Sequence, residues 1–220
     1  SDLAAHIKKA GENPDVHVIV LSSGGDRTFC AGASFDELIT ITNSEDGKKF
    51  FLGFAHVINA MRKCPKIIIC RVHGKAIGGG VGIAAAADYC MATNYGTIKL
   101  SELALGIGPF VIGPAVERKI GLSAFSQLAL NATEWQTAIW AKEKGLYHEV
   151  FDSIEQLDAY VDELSQRLAA TSSSALLALK QALWHDTQHW DQLLEERAGI
   201  SGRLVITEAS QKAIRESKIV

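Results

Sequence analysis

The sequence predicts an α/β fold, and three features carry that prediction. Two short runs, Asp15 to Leu21 (DVHVIVL) and Lys66 to Arg71 (KIIICR), are apolar at consecutive positions, as suits strands covered on both faces of a parallel sheet. Each run leads towards glycines, Gly24-Gly25 after the first and Gly78-Gly79-Gly80 after the second. From Ser123 onward, apolar residues recur three and four apart, the period of helices that bury one side. The 220 residues therefore divide into a β–α part, 1–121, and a helical part, 122–220.

Taken in order, Leu3 to Lys9 predicts the end of a helix closed by Gly11. Asp15 to Leu21 is the first strand, followed by the turn cluster Ser22 to Arg27 and the segment Thr28 to Ser34 (TFCAGAS). Gly47 to Lys63 is a helix, because Phe50, Phe51, Phe54, Val57, Ile58 and Met61 form one stripe and Pro65 stops it. Lys66 to Arg71 is the next strand, and Ile83 to Ala87 the first turns of a buried helix. Tyr89 to Ala92 and Thr97 to Leu100 are short strands. Ser101-Glu102-Leu103 reads as an N-cap and first turn. Gly106 to Gly113 is an irregular loop, and Pro114 to Ile120 opens another helix. Asp152 to Ala170, Ser172 to His185 and Trp190 to Glu216 are helical by period.

Composition excludes several classes of function. A net charge of −3 does not suit a protein that grips a nucleic-acid backbone, so no nucleic acid is expected as partner. No uninterrupted apolar run reaches about 18 residues, so no membrane span is expected, and no secretory leader pattern follows Ser1. Cys30, Cys64, Cys70 and Cys90 lie in or beside apolar segments without CxxC spacing, which reads as buried reduced thiols in a cytoplasmic protein. The seven histidines show no HExxH or CxxC…HxxxH pattern, and no metal is inferred.

The stretch Val72 to Ala84 (VHGKAIGGGVGIA) organises the chain. A strand that runs through consecutive glycines into a helix exposes backbone N–H groups at a positive helix end, where an oxygen that is or becomes negative is favoured. The same turn also serves as a plain packing device. It is not a phosphate loop, since Gly80 stands where the lysine of G-x-x-x-x-G-K-[ST] belongs; G-x-G-x-x-G and G-x-S-x-G are absent as well.

Phe29-Cys30-Ala31-Gly32-Ala33 after the first strand, His73 to Gly80 after the second, DVHVIVL before them and Ser101 to Ile107 (SELALGI) after them together resemble the crotonase (enoyl-CoA hydratase/isomerase) superfamily, from about Leu3 to about Glu216. The resemblance implies a crotonase-like spiral of ββα units over 1–121 carrying the acyl-CoA site. It further implies a helical C-terminal trimerisation region over 122–220, and a homo-oligomer, either a trimer or a dimer of trimers. Carried over by position, the amides of Ala33 and Gly79 match the family's oxyanion hole, with Ala31, Gly32 and Gly78 beside them on the thioester. Coenzyme A arrives as part of the substrate, and no separate cofactor is implied. Two fixed donors stabilise an enolate oxygen more than the ground-state carbonyl.

Glu102 matches one of the two glutamates usual in the family's hydratases. The other falls on Gly82, and no carboxylate follows until Asp88. Ser101 to Gly121 is similar to a bacterial branch labelled methylglutaconyl-CoA or enoyl-CoA hydratase, in which the first glutamate can also be absent. The expected reaction is therefore hydration of a 2-enoyl-CoA. The alternatives are a 3-enoyl to 2-enoyl-CoA isomerase using Glu102 alone and a non-catalytic acyl-CoA-binding protein. Phe35, Leu38, Phe54, Ile107, Pro109 and Phe110 are candidates for an acyl pocket or for plain core. His73, in place of a frequent asparagine, reads as structural. Trp135, Trp140, Trp184 and Trp190 read as packing or subunit contact. The family's opening strands and its terminal basic-aromatic tail have no counterpart in the sequence, so contacts to CoA from those segments are not assigned.

Overall fold

A computed structural model describes residues 2–218; residue 1 and residues 219–220, where the two predicted parts begin and end, lie outside the described residues. Among the described residues, seven strands form two parallel sheets. Strands β1 (Val18–Leu21), β3 (Ile67–Val72), β5 (Tyr89–Thr93) and β7 (Glu149–Phe151) make the larger sheet in that order. The smaller sheet is β2 (Thr28–Cys30), β4 (Lys75–Ile77) and β6 (Ile98–Lys99). Consecutive strands thus alternate between the sheets, and the chain winds as a spiral of ββα units.

Strand β3 explains the apolar run that encodes it. It lies between β1 and β5, and its side chains alternate between two cores. Ile68, Cys70 and Val72 face the main core, while Ile67 and Ile69 meet Leu157 and Val161 of helix α7 (Ile154–Ala169) on the other face. The expectation that the first strand is covered on both faces is corrected: β1 is the edge of its sheet, and Val20 is 41% exposed. The strand that feeds the glycine turn is also not the apolar run itself. Residues 73–74 carry the chain to the other sheet, and β4, only three residues long, leads into the glycines.

The helices follow from capping and stripe. Helix α1 (Asp2–Glu12) runs through Gly11, which packs on Cys64 and Pro65 and does not end it. Helix α2 (Phe35–Thr40) is capped by Ser34, whose hydroxyl accepts from the Glu37 N–H. Helix α3 (Ser44–Lys63) begins earlier than its apolar stripe because Asn43 caps it, and ends before Pro65. Helix α4 (Gly79–Ala86) starts within the glycine run, four residues before the predicted turn, and is buried along its whole length. Helix α5 (Gly113–Leu130) is broken at Gly121, whose φ of 77° is non-helical. Helices α6 (Ala138–Glu143) and α8 (Ser173–Leu183) follow in the C-terminal part. The predicted helix from Trp190 to Glu216 is two, α9 (Trp190–Leu204) and α10 (Glu208–Lys218), and the break between them turns α10 back over the core. The C-terminal part is not wholly helical, since β7 closes the larger sheet. No helix among the described residues is long and apolar enough to cross a membrane.

Candidate active site

The site forms where two loops leave the same end of the smaller sheet. β2 and β4 are parallel neighbours, Thr28 beside Lys75 and Cys30 beside Ala76, so their outgoing loops start side by side. The first loop is Ala31-Gly32-Ala33; the second is Gly78, with φ of 51°, entering α4 at Gly79. A β-carbon on Gly32 would lie 3.5 Å from the Gly79 nitrogen and 2.9 Å from the Ile77 carbonyl oxygen, so the loops meet backbone to backbone. The Gly79 N–H is the first of α4 and has no acceptor inside the helix. Among the described residues, neither it nor the Ala33 N–H donates a hydrogen bond.

Glu102 arrives from the third strand. Beyond β6, Leu100 is buried and the chain turns through a 3-10 turn (Leu103–Leu105). Glu102 heads this turn without a side-chain cap, so the predicted Ser101 N-cap is corrected. The Glu102 carbonyl accepts from the N–H groups of Leu105 and Ile107, at 3.1 and 3.0 Å, which fixes the residue in place. Its carboxyl lies over Gly78: a β-carbon there would come 2.8 Å from Oε1. Oε2 is sealed from solvent and accepts no hydrogen bond. Burial pushes the Glu102 pKa from 4.5 up to about 7, opposed in part by its own backbone N–H.

One cavity of about 420 Å³ holds these groups together. Ala31, Gly32, Ala33, Gly78, Gly79 and Glu102 all line it. So do Phe35, Leu38, Phe54, Ile107, Pro109 and Phe110, which the sequence left between pocket and core. The sequence reading missed Lys99, Ser101 and Thr133, which also line it. Alternation along β6 is the signal that finds the first two. Ile98 and Leu100 are fully buried, so Lys99 and Ser101 share the opposite face and lead directly to Glu102. Helix α10 covers one side: Ser210 donates to the Gly106 carbonyl, and Ser217 reaches the cavity.

His73 is not among the lining residues. It is buried with neither ring nitrogen bonded, and burial, with Arg71 nearby, lowers its pKa and keeps it neutral. Asp88 is not among them either; it is held in a buried ion pair with Lys180. Trp184 and Trp190 are buried edge-to-face partners, as packing predicts.

Position 82 has no room for a side chain. A β-carbon there would lie 2.4 Å from Ile112 Cγ2 and 2.6 Å from Ile112 Cβ, both in buried core. Gly82→Ala is therefore expected to destabilise by about 1–3 kcal/mol, overpacking outweighing the helix propensity that alanine adds. With Ile112→Ala alongside, the 2.4 Å contact to Cγ2 is removed while the 2.6 Å contact to the β-carbon stays, so the cost of the same change is expected to shrink without vanishing. Urea midpoints of the four proteins test this; an equal cost in both backgrounds would show that Ile112 does not fill the space.

The sequence matches the model of the enoyl-CoA hydratase/isomerase family over residues 1–219. The chain belongs to this family. It is 30% identical over 187 residues to a peroxisomal Delta(3,5)-Delta(2,4)-dienoyl-CoA isomerase of Arabidopsis thaliana, a match covering 78% of this chain and 66% of that protein. An enoyl-CoA hydratase of Alternaria alternata, ACTT6, is 30% identical over 176 residues, covering 79% of this chain and 57% of that protein. The chain thus spans about two thirds or less of the length of these curated relatives. A crystal structure of an enoyl-CoA hydratase from Bacillus halodurans superposes with a TM-score of 0.88 at 21% identity, over 98% of this chain and 87% of that one. The crotonase-like α/β fold read from the paired loops is the fold of this enoyl-CoA hydratase/isomerase chain.

Proposed function

We propose that this family member adds water to a 2-enoyl-CoA, with Glu102 as its single acid–base group and the amides of Ala33 and Gly79 on the thioester oxygen. The observation that carries the reading is a buried carboxyl with a pKa near 7, in the same cavity as two N–H groups that donate to nothing else. A carboxyl with that pKa is populated in both forms at neutral pH and can take a proton and return it. As carboxylate, Glu102 accepts a proton from water while the water oxygen bonds to the β-carbon. The electron pair of the double bond moves onto the thioester oxygen, where the two amides meet it. Collapse of this enolate draws the proton from Glu102 to the α-carbon, and the enzyme is restored. One such donor is typically worth about 10²–10³ in rate.

Isomerisation of a 3-enoyl to a 2-enoyl-CoA is the second reading, and the packing at Gly82 favours it. With Ile112 in that space there is no second carboxylate to hold a water, and a one-base proton shift between two carbons needs none. Loss of the conjugated-enone absorbance of 2-enoyl-CoAs tests the first reading. Gain of that absorbance from 3-enoyl-CoAs, with deuterium entering carbon and no alcohol formed, decides for the second. Tight acyl-CoA binding with neither change would leave a binding protein. A trimer or dimer of trimers belongs to the same proposal; Leu122 and Leu130 of α5, 67% and 70% exposed, support a covered face.

A further inference from the structure

We propose that Phe110 sets the length of acyl chain that the protein accepts, by standing as the partition between the cavity that holds Glu102 and a second apolar pocket behind it. This deepens the thioester reading above and rests on it. The second pocket, of about 250 Å³, lies against helix α5, with Leu103, Pro114, Phe125, Ala129 and Leu130 on its walls. Glu117 and Arg197 are its charged members. It shares three residues with the first cavity, Gly108, Pro109 and Phe110, and Phe110 carries most of the bulk among them.

The ring is held in place by its own loop. Gly108, at a φ of 86°, leaves bare the surface on which the ring lies: a β-carbon there would come 2.7 Å from Phe110 Cε2 and 3.0 Å from Cζ. The Phe110 N–H donates to the Gly108 carbonyl and the Gly113 N–H to the Pro109 carbonyl, both at 2.9 Å. The loop is tied in turn to the acid, because the Ile107 N–H donates to the Glu102 carbonyl at 3.0 Å. The partition therefore stands at a fixed distance from the group that moves the proton, and chain length is measured from there.

A tail that ends before the ring buries its methylenes against Leu38, Phe54 and Ile107. A longer tail has to displace the ring from Gly108 or fold back on itself, and both oppose binding in a packed site. Beyond the ring the apolar walls suit the same methylenes. Taking the ring away joins two pockets into one.

The test compares hex-2-enoyl-CoA with dodec-2-enoyl-CoA. The wild-type protein is expected to favour the shorter thioester in kcat/KM. Phe110→Ala is expected to shift the ratio towards the longer one by about 10- to 100-fold, the scale on which apolar pockets distinguish methylenes, and Phe110→Leu by less. Ala129 lines the second pocket and not the first, so Ala129→Phe added to Phe110→Ala should fill that pocket and cancel the shift. Titration calorimetry with hexanoyl-CoA and dodecanoyl-CoA reads the same ratios without turnover. Ratios that move in binding while no thioester is turned over would sink the hydratase reading and keep this one. An unchanged ratio in both Phe110 variants, or a shift that Ala129→Phe leaves in place, would overturn it. So would a wild-type protein that already favours the longer thioester.

Discussion

Glu102→Gln is expected to lower turnover of an enoyl-CoA by about 10²–10⁴-fold, the usual contribution of a positioned acid–base group. The substitution keeps the shape of the side chain over Gly78 and removes only the proton carrier. In the wild-type protein, kcat/KM for hydration is expected to fall as pH drops through about 7, because the carboxylate must accept the proton of water. Misfolding would not explain the loss if, as expected, the same variant is more stable than wild type at alkaline pH. Burial raises the folded pKa from 4.5 to about 7, so between those values the folded chain holds a proton that the unfolded chain has released. The contribution of Glu102 to stability therefore declines as pH rises through that window and stays low above it. Discounted for the partial exposure of the residue, the deficit at pH 8 is about 2 kcal/mol. Glutamine carries no such deficit, so urea midpoints of wild type and variant should separate at pH 8 and converge near pH 4. A flat activity profile across pH 7, or a variant less stable than wild type at pH 8, would remove Glu102 from the role.

The features legible in the sequence were those written in several residues at once. The paired loops around Gly32 and Gly79, the helix over Phe50 to Met61 and the buried strand over Ile67 to Val72 each carry a pattern that a reader can recover. Three-residue strands do not: Lys75-Ala76-Ile77 and Glu149-Val150-Phe151 are too short for periodicity, and only their pairing, the first with Thr28–Cys30 and Ile98–Lys99 and the second with Met91–Thr93, makes them strands. The α9–α10 break is marked by no glycine or proline, and it is Ser210 anchoring on the Gly106 carbonyl that shows why α10 turns back. At the site, the two glycine loops and Glu102 were legible, whereas the apolar walls stayed undecided between pocket and core, Lys99, Ser101 and Thr133 were missed, and the fate of position 82 was hidden. That Ile112 fills it depends on two segments thirty residues apart meeting in space.

Asp88→Ala is expected to cost about 3–5 kcal/mol, the range for breaking a buried ion pair by removing one partner. Asp88 ties the helical part of the chain to the larger sheet. Its Oδ2 lies 2.8 Å from Lys180 Nζ, with both side chains 3% exposed, and accepts from the Ile68 N–H at 2.8 Å. Its Oδ1 accepts from Trp184 Nε1 at 2.7 Å. Without the carboxylate, the Lys180 ammonium is left buried with only the Lys66 carbonyl, and the Trp184 N–H loses its acceptor. Coulomb attraction is lost while the desolvation cost stays, so the loss exceeds what the pair contributes in net terms. For a chain of this size the melting temperature should fall by roughly 10–15 °C. Lys180→Met should cost less, because Asp88 keeps two N–H donors, from Ile68 and Trp184. Adding it to Asp88→Ala should recover part of the loss by removing the stranded charge. Asp88 does not line the cavity, so Asp88→Ala assayed well below its melting point should retain turnover while losing stability, the reverse of Glu102→Gln at pH 8. If both variants lost activity and stability together, the catalytic cavity and the clasp of the helical part would be one cooperative unit and not two.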